Sequence, residues 1–402
     1  MNRAESVAAC HLAADVVAEV TTAVEGVHRG ILSRIRAVAG PDSPVGASVD
    51  LIEAPAHAVY AAVRLSSAAL GHTAASVSSV AVSAGSAAAA DTPSGSTWLA
   101  GLSAAWGDQL EDDDRTRPLA PPMSLRQDGF VLTPSQFVEG CESGGLGVFL
   151  HGLGGTEHQW HPSYQAALAQ QGFAPALVRY NSGRAIHANG QDFADMMREL
   201  IAGLRARVAN PRVILVGHSM GGLIIRSALG QQPAEAWLRD VTDVVTLGSP
   251  HHGAPLEKVS AAALRGLQQF RESSPIADFG NRRARGIKDL RFGALRPDHW
   301  GGLDPDEVLY DTTADVPLPA HVRHHAIVAS FGGPGSLVGA VFGDGMVRSR
   351  SAAGRGDPPD RVSVHRLHST GHLHLLRHPR VADILADVAA GPSSAMRQTG
   401  ST

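Results

Sequence analysis

Apolar positions in the first forty residues recur at helical spacing. Val16, Val17, Val20, Val24, Val27, Ile31 and Ile35 fall near one face of a helix over residues 4–38. Gly40-Pro41-Asp42-Ser43-Pro44 breaks it, since proline cannot donate to the helical ladder and glycine favours a turn. A second helical stretch is predicted from Pro55 to Ala69. Small residues dominate from Gly71 to Gly95; Ala74 to Val82 is compatible with helix, and Ser83 to Gly95 reads as a linker. A third helix around Trp98 to Leu110 stops in the acidic turn Glu111 to Asp114, and Pro118, Pro121 and Pro122 follow.

After Met123 the period changes. Short apolar runs alternate with helical stretches, the pattern of a mostly parallel sheet with crossover helices. The predicted strands are Ser124-Arg126, Phe130-Leu132, Gly147-Leu150, Ala176-Arg179, Val213-Val216, Asp243-Leu247, His325-Ser330 and Ser363-Leu367. The first two look like a hairpin. Residues 254–320 hold no convincing strand and carry helical stretches, including Leu256 to Glu272. A helical insertion there would cover the carboxyl ends of the strands, where such sheets bind ligands. The expected organisation is a helical region with a small-residue linker at 1–110, an α/β domain at 111–392 with a helical lid at 254–320, and a flexible tail at 393–402.

The chain has 402 residues, 44% hydrophobic and 18% charged, ample for a large core. A net charge of −4 provides no global field for nucleic acid. Two cysteines, Cys10 and Cys141, make no disulfide framework and fit a reducing, cytoplasmic setting. No stretch of 18 apolar residues free of charge occurs, so no membrane span is predicted.

The chemistry is concentrated at Gly217-His218-Ser219-Met220-Gly221. A buried strand, Val213-Val216, runs into this G-x-S-x-G segment, and a helix follows. That context makes Ser219 a nucleophile presented on a tight turn, where flanking side chains would collide with the neighbouring strand and helix. A serine hydroxyl needs a base within hydrogen-bond reach and an acid to orient the base. Asp344, between glycines on a loop after the seventh strand, is the expected acid; Asp304, Asp306, Asp311 and Asp315 precede that strand. For the base, His365, His368, His372, His374 and His378 all follow the last strand, and His372 is favoured because Gly371 places it just after a flexible turn. Backbone donors for an oxyanion would be the N–H groups of Met220 and of Leu153, the latter in His151-Gly152-Leu153-Gly154-Gly155 after the third strand. Asn181, and Arg184 in the same loop after the fourth strand, are candidate substrate contacts. His251 is expected to line the cleft. The histidine pairs lack a metal-binding framework, so no metal or other cofactor is called for.

Together the segments at 151–155, 217–222 and Leu247-Gly248-Ser249-Pro250-His251-His252-Gly253 resemble the α/β-hydrolase superfamily, and within it the GPI inositol-deacylase-like lipases and bacterial serine esterases. The resemblance covers roughly residues 118–390. It implies an α/β-hydrolase fold and a Ser219–His372–Asp344 triad hydrolysing carboxylic esters, with a small-molecule ester or lipid as substrate. Acyl transfer or amide cleavage would use the same groups, and a non-catalytic binding role is the rival from another class. Relatives often have H-L-D-L-L at the base, where this chain has His372-Leu373-His374-Leu375-Leu376; a carboxylate that could hold calcium is absent, so no metal is carried over. The N-terminal 110 residues have no counterpart in the minimal fold. Packing onto the hydrolase or onto a second copy is expected of them, with shallow peripheral membrane contact as the alternative. The basic run Arg282, Arg283, Arg285 and Lys288 is expected to be a solvated face or a contact for anionic headgroups.

Overall fold

The computed structural model describes the chain except residues 41–42, 84, 232–234, 309, 331–354 and 392–402. Asp344 and the tail from 393 therefore lie outside the described residues.

All eight predicted strands form, each within three residues of its expected bounds: β1 (Ser124–Gln127), β2 (Phe130–Leu132), β3 (Gly145–Leu150), β4 (Phe173–Arg179), β5 (Arg212–His218), β6 (Val241–Leu247), β7 (Arg323–Ser330) and β8 (Val362–His368). They make one sheet in the order β2-β1-β4-β3-β5-β6-β7-β8. The β1–β2 hairpin and the β1–β4 pairing are antiparallel, and every other pairing is parallel. β3 is buried along its whole length and β5 along all but its first residue. Both faces of such a strand are covered, so it reads as an unbroken apolar run rather than an alternating one.

Alternate residues serve opposite faces. Val148, Leu150, Val213 and Leu215 enter a core with Phe193, Met197 and Leu200 of α6 (Ile186–Arg205) and with Leu223 and Ile224 of α7 (Met220–Gln231). Phe149, Ile214 and Val216 enter a second core with Tyr164 of α5 (Pro162–Ala169) and with Ile384 and Leu385 of the last helix, α11 (Pro379–Ala390). The chain passes from β3 to β4 on one side and then returns to place β5 on the other. The loops leaving β3 and β5 consequently meet at a topological switch point.

The N-terminal region is an antiparallel pair of long helices, α1 (Arg3–Ala39) and α2 (Pro44–Ala81), followed by α3 (Pro93–Asp112). α2 is more than twice the predicted length. Pro55 sits inside it, and the small-residue stretch beyond Ala69 stays helical to Ala81. Alanine favours a helix, and Gly71 lets α2 close on α1: a Cβ there would come within 2.5 Å of Ala14 Cβ. By length and composition α1 could cross a membrane, its most apolar window having a mean hydropathy of 1.5; the sequence reading expected no span. The predicted boundary at residue 110 falls within α3.

The insertion is helical as expected, with α8 (Pro255–Gln268), α9 (Ser274–Gly280) and α10 (Arg285–Asp289), and holds no strand among the described residues. α1 lies on it: a Cβ on Gly26 would meet Pro275, and one on Gly30 the carbonyl of Arg271. Arg34 pairs with Glu272 at 3.0 Å, and Arg282 pairs with Glu19. The remaining basic run turns inward. Arg283 binds Glu257 and Asp306, Lys288 binds Asp306 at 2.7 Å, and the backbone N–H of Arg285 donates to Asp108. The side chains of Arg282, Arg283 and Lys288 are thus matched by acids of α1 and of the insertion.

Candidate active site

Ser219 occupies the turn between β5 and α7 with φ +52°. A non-glycine residue in that region is strained, and such strain persists only where the surroundings enforce it. The enforcement is visible. The Ser219 N–H donates to Leu247 O at 2.9 Å, tying the turn to the end of β6. Gly217 and Gly221 face backbone directly: a Cβ on Gly217 would lie 2.5 Å from the Gly222 nitrogen, and one on Gly221 would collide with the carbonyls of Leu150 and His151. The two glycines of the motif are thus required by the close approach of β3 and α7 to the turn.

The loop after β3 lies against the serine. A Cβ on Gly152 would be 3.1 Å from Ser219 Cβ and 2.9 Å from His218 Nδ1. This loop is firmly braced. His151 is fully buried and stacks on Tyr180, with centroids 4.1 Å apart and planes 4° apart. Its Nδ1–H donates to Gly152 O at 2.8 Å, its Nε2 accepts from the Tyr180 N–H at 3.3 Å, and the Tyr180 hydroxyl donates to His151 O at 2.6 Å. One nitrogen donates and the other accepts, which suits a neutral ring, and burial pushes its pKa down to about 4. Leu153 is half-buried and Met220 fully buried at the first turn of α7. N–H groups of a first helical turn have no partner within the helix.

Of the five candidate histidines, His372 is the one packed against His218, the residue before Ser219. Its ring lies 4.8 Å from that of His218, and its carbonyl accepts from His218 Nε2 at 3.4 Å. It is 4% exposed, whereas His368 and His374 are exposed, His378 caps α11 and His365 stacks on His325. The Leu247-Gly248 segment explains itself here: Gly248 has φ +60°, and a Cβ on it would press on His372 Nδ1 at 3.0 Å. Burial holds the pKa of His218 well below the usual range, so its ring packs as a neutral wall between the Gly152 loop and His372.

The candidate substrate contacts sit differently from expectation. Asn181 is 2% exposed and uses its amide internally, donating to Gly107 O at 2.7 Å and accepting from Gly183 N–H at 3.1 Å. Arg184 pairs with Glu111 at 2.9 Å and with Asp192. His251 is sealed at 2% exposure, edge-on to His324 at 5.6 Å, and neither ring nitrogen has a hydrogen-bond partner among the described residues. A buried histidine–aspartate contact joins His324 to Asp357 at 3.2 Å, but Arg226 holds the same carboxylate at 2.6 Å and Thr246 holds the other nitrogen of His324.

Sequence patterns did not reveal the part taken by α3. Gly154 of the β3 loop, φ +66°, lies against Ala104 and Ala100, while its N–H donates to Ser182 Oγ at 3.0 Å. α3 and the loop after β4 cross backbone to backbone, since a Cβ on Gly183 would overlap Ser103 O and one on Gly107 would overlap the Asn181 side chain. A kink at Trp106 (φ −141°) frees the Ala105 carbonyl, which accepts from Ala284 N–H of the insertion at 2.9 Å. α3 therefore joins the β3 loop, the β4 loop and the insertion. Gly107→Val should wedge these apart, lowering stability by about 1–3 kcal/mol and turnover with it. Gly101→Ala on the same helix meets nothing within 4 Å and should be neutral or slightly stabilising. Thermal melts and ester assays on the two variants check this, and equal behaviour would remove α3 from the site's support.

The mostly parallel eight-stranded sheet, helices on both faces and a strained serine at the switch point define an α/β-hydrolase fold. Residues 144–274 match the PGAP1-like alpha/beta domain. No curated protein matches the chain. Similar solved structures include the mature lipase BlEst2 of Bacillus licheniformis, 22% identical with TM-score 0.40 over 61% of this chain and 93% of that one. The metagenomic carboxyl esterase MGS0156 is 15% identical with TM-score 0.37 over 62% and 75%, and the carboxylesterase CesB of Bacillus subtilis 16% identical with TM-score 0.34 over 62% and 85%.

Proposed function

We propose that the protein hydrolyses carboxylic esters, lipid-like or acyl, through an acyl-enzyme on Ser219. The observation that carries this reading is the strained Ser219 turn, with the Gly152 loop on one side and His372 on the other. His372 takes the hydroxyl proton as Oγ attacks the ester carbonyl, and the N–H groups of Leu153 and Met220 receive the oxyanion. Collapse of the tetrahedral species returns the proton from His372 to the departing alcohol and leaves the acyl group on Oγ. Water, deprotonated by His372, then releases the carboxylic acid. Asp344 is the acid assigned to hold the imidazole, on the sequence reading alone. Apolar residues of the insertion favour an acyl chain over a peptide.

Hydrolysis of p-nitrophenyl esters of increasing acyl length tests the reading. Turnover is expected to depend on chain length, and His372→Ala to lower kcat by about 10³-fold or more with little change in KM. Activity surviving in His372→Ala but lost in His368→Ala or His374→Ala would reassign the base.

A further inference from the structure

The outward surface of the α1–α2 pair has a regularity that the hydrolase reading leaves unused. On α1 the most solvent-exposed large apolar residues are Val17, Val20, Val24, Ile31 and Val38, each between 45% and 84% exposed, with Ile35 at 42% beside them and off their register. The spacings of the five, three, four, seven and seven, are the first and fourth positions of a heptad. On α2 Ile52, Val59, Val63, Leu70, Val77 and Val80, between 41% and 83% exposed, are again in heptad register, while Leu51 and Leu65, 78% and 73% exposed, lie outside it. A heptad-spaced seam stays turned toward another helix along its length, a period a flat lipid surface does not select. β-branched residues dominate both seams.

The surface chemistry points the same way. No Asp, Glu, Lys or Arg occurs from Leu65 to Ala90. On α1, Glu25 is tied to His57 and Arg64, Arg34 to Glu272 and Glu19 to Arg282, so these charges are engaged within the chain. Helices that lie in a membrane interface carry Lys or Arg on the polar face and Trp, Phe or Leu on the other; residues 65–90 carry neither Lys nor Arg, and Tyr60 is the sole Phe, Tyr or Trp of residues 1–97. At 1.5 Å per residue and about 10 Å per helix, the seam region measures about 40 Å by 20 Å. That is roughly 800 Å² per partner, the size of a standard specific interface.

We infer that the α1–α2 hairpin is a homodimerisation surface, on which the hairpin of a second copy completes a four-helix bundle. A two-fold axis places the same uncharged seams against each other with no like-charge repulsion. Because α1 is seated on α9 through Gly26 and Gly30, the dimer surface and the insertion are in direct contact.

Sedimentation velocity on the full chain at tens of micromolar should give twice the chain mass. Val63→Glu/Leu70→Glu should sediment as a monomer, with association weakened at least 100-fold and ester turnover per chain unchanged. Val63→Ser/Val77→Ser, a milder pair, covers the case in which the glutamates disturb the helix; circular dichroism and melting report folding of both. A wild-type monomer at that concentration overturns the inference. So does a dimer that persists in both folded variants, or a monomer that floats with phosphatidylcholine vesicles through these residues, which would assign the surface to lipid.

Discussion

Ser219→Ala is expected to lower p-nitrophenyl ester turnover by about four orders of magnitude or more and to abolish fluorophosphonate labelling. In the proposed mechanism Oγ is the atom that becomes acylated, so no neighbouring group can replace it. What survives would come from binding and the backbone donors acting on water. The melting temperature should stay close to that of the parent, since the turn is held by the Ser219 N–H bond to Leu247 O and by glycines at 217 and 221, none of which uses the hydroxyl. Equal turnover in the variant would refute the mechanism, and a large drop in melting temperature would assign the hydroxyl a structural role.

Mild acid should destabilise the fold strongly. His151, His218 and His251 are buried as neutral rings, and burial depresses the pKa of each. Unfolded histidine titrates near 6.5. Between that value and the lower folded one, the unfolded chain binds more protons, so stability is complete above pH 6.5 and falls as pH drops. For His151, with a folded pKa of about 4, the loss by pH 4 is about 3 kcal/mol. The chemical reason is specific: Nε2 accepts from the Tyr180 N–H, and a protonated ring would bring two donors together. Asp289 acts in the opposite sense. Burial raises its pKa to about 6, so its contribution is present in acid and lost as pH rises through 6. One carboxyl does not offset three rings. Melting temperature measured from pH 7.5 down to 4.5 should fall by roughly 3–5 °C from His151 alone, and a flat profile would contradict the neutral assignment.

The loss would fall on the site itself. His151 braces the loop that lies on Ser219, and His218 stands between that loop and His372. Acid is therefore expected to inactivate the protein through the geometry of the β3 loop as well as through protonation of a general base.

Legibility in the sequence followed the range of the interactions. The eight strands were legible because each is a short apolar run closed by turn residues, and burial on both faces leaves a local trace in β3 and β5. The elbow was legible because its glycines answer to backbone only four or five residues away in the motif and to one adjacent strand. α2 was underestimated because Pro55 and a run of small residues weaken local propensity, while close packing of Gly71 on Ala14 compensates across the hairpin. Asn181 followed a strand in a position that faces ligands in such sheets, yet its amide is occupied by Gly107 and Gly183. That partner lies more than seventy residues upstream, with no periodicity or motif linking the two.

By itself, then, the sequence determined the class of fold, the glycine-flanked serine turn and the cluster of histidines at and after the last strand, since each depends on residues near in the chain. The tertiary structure decided which of those histidines packs on His218, how the β3 loop is held, and that α3 and the helical hairpin are packed onto the α/β domain and its insertion. Those outcomes depend on side chains meeting across the sheet and between distant helices, where burial and close backbone approach, rather than local preference, select one arrangement.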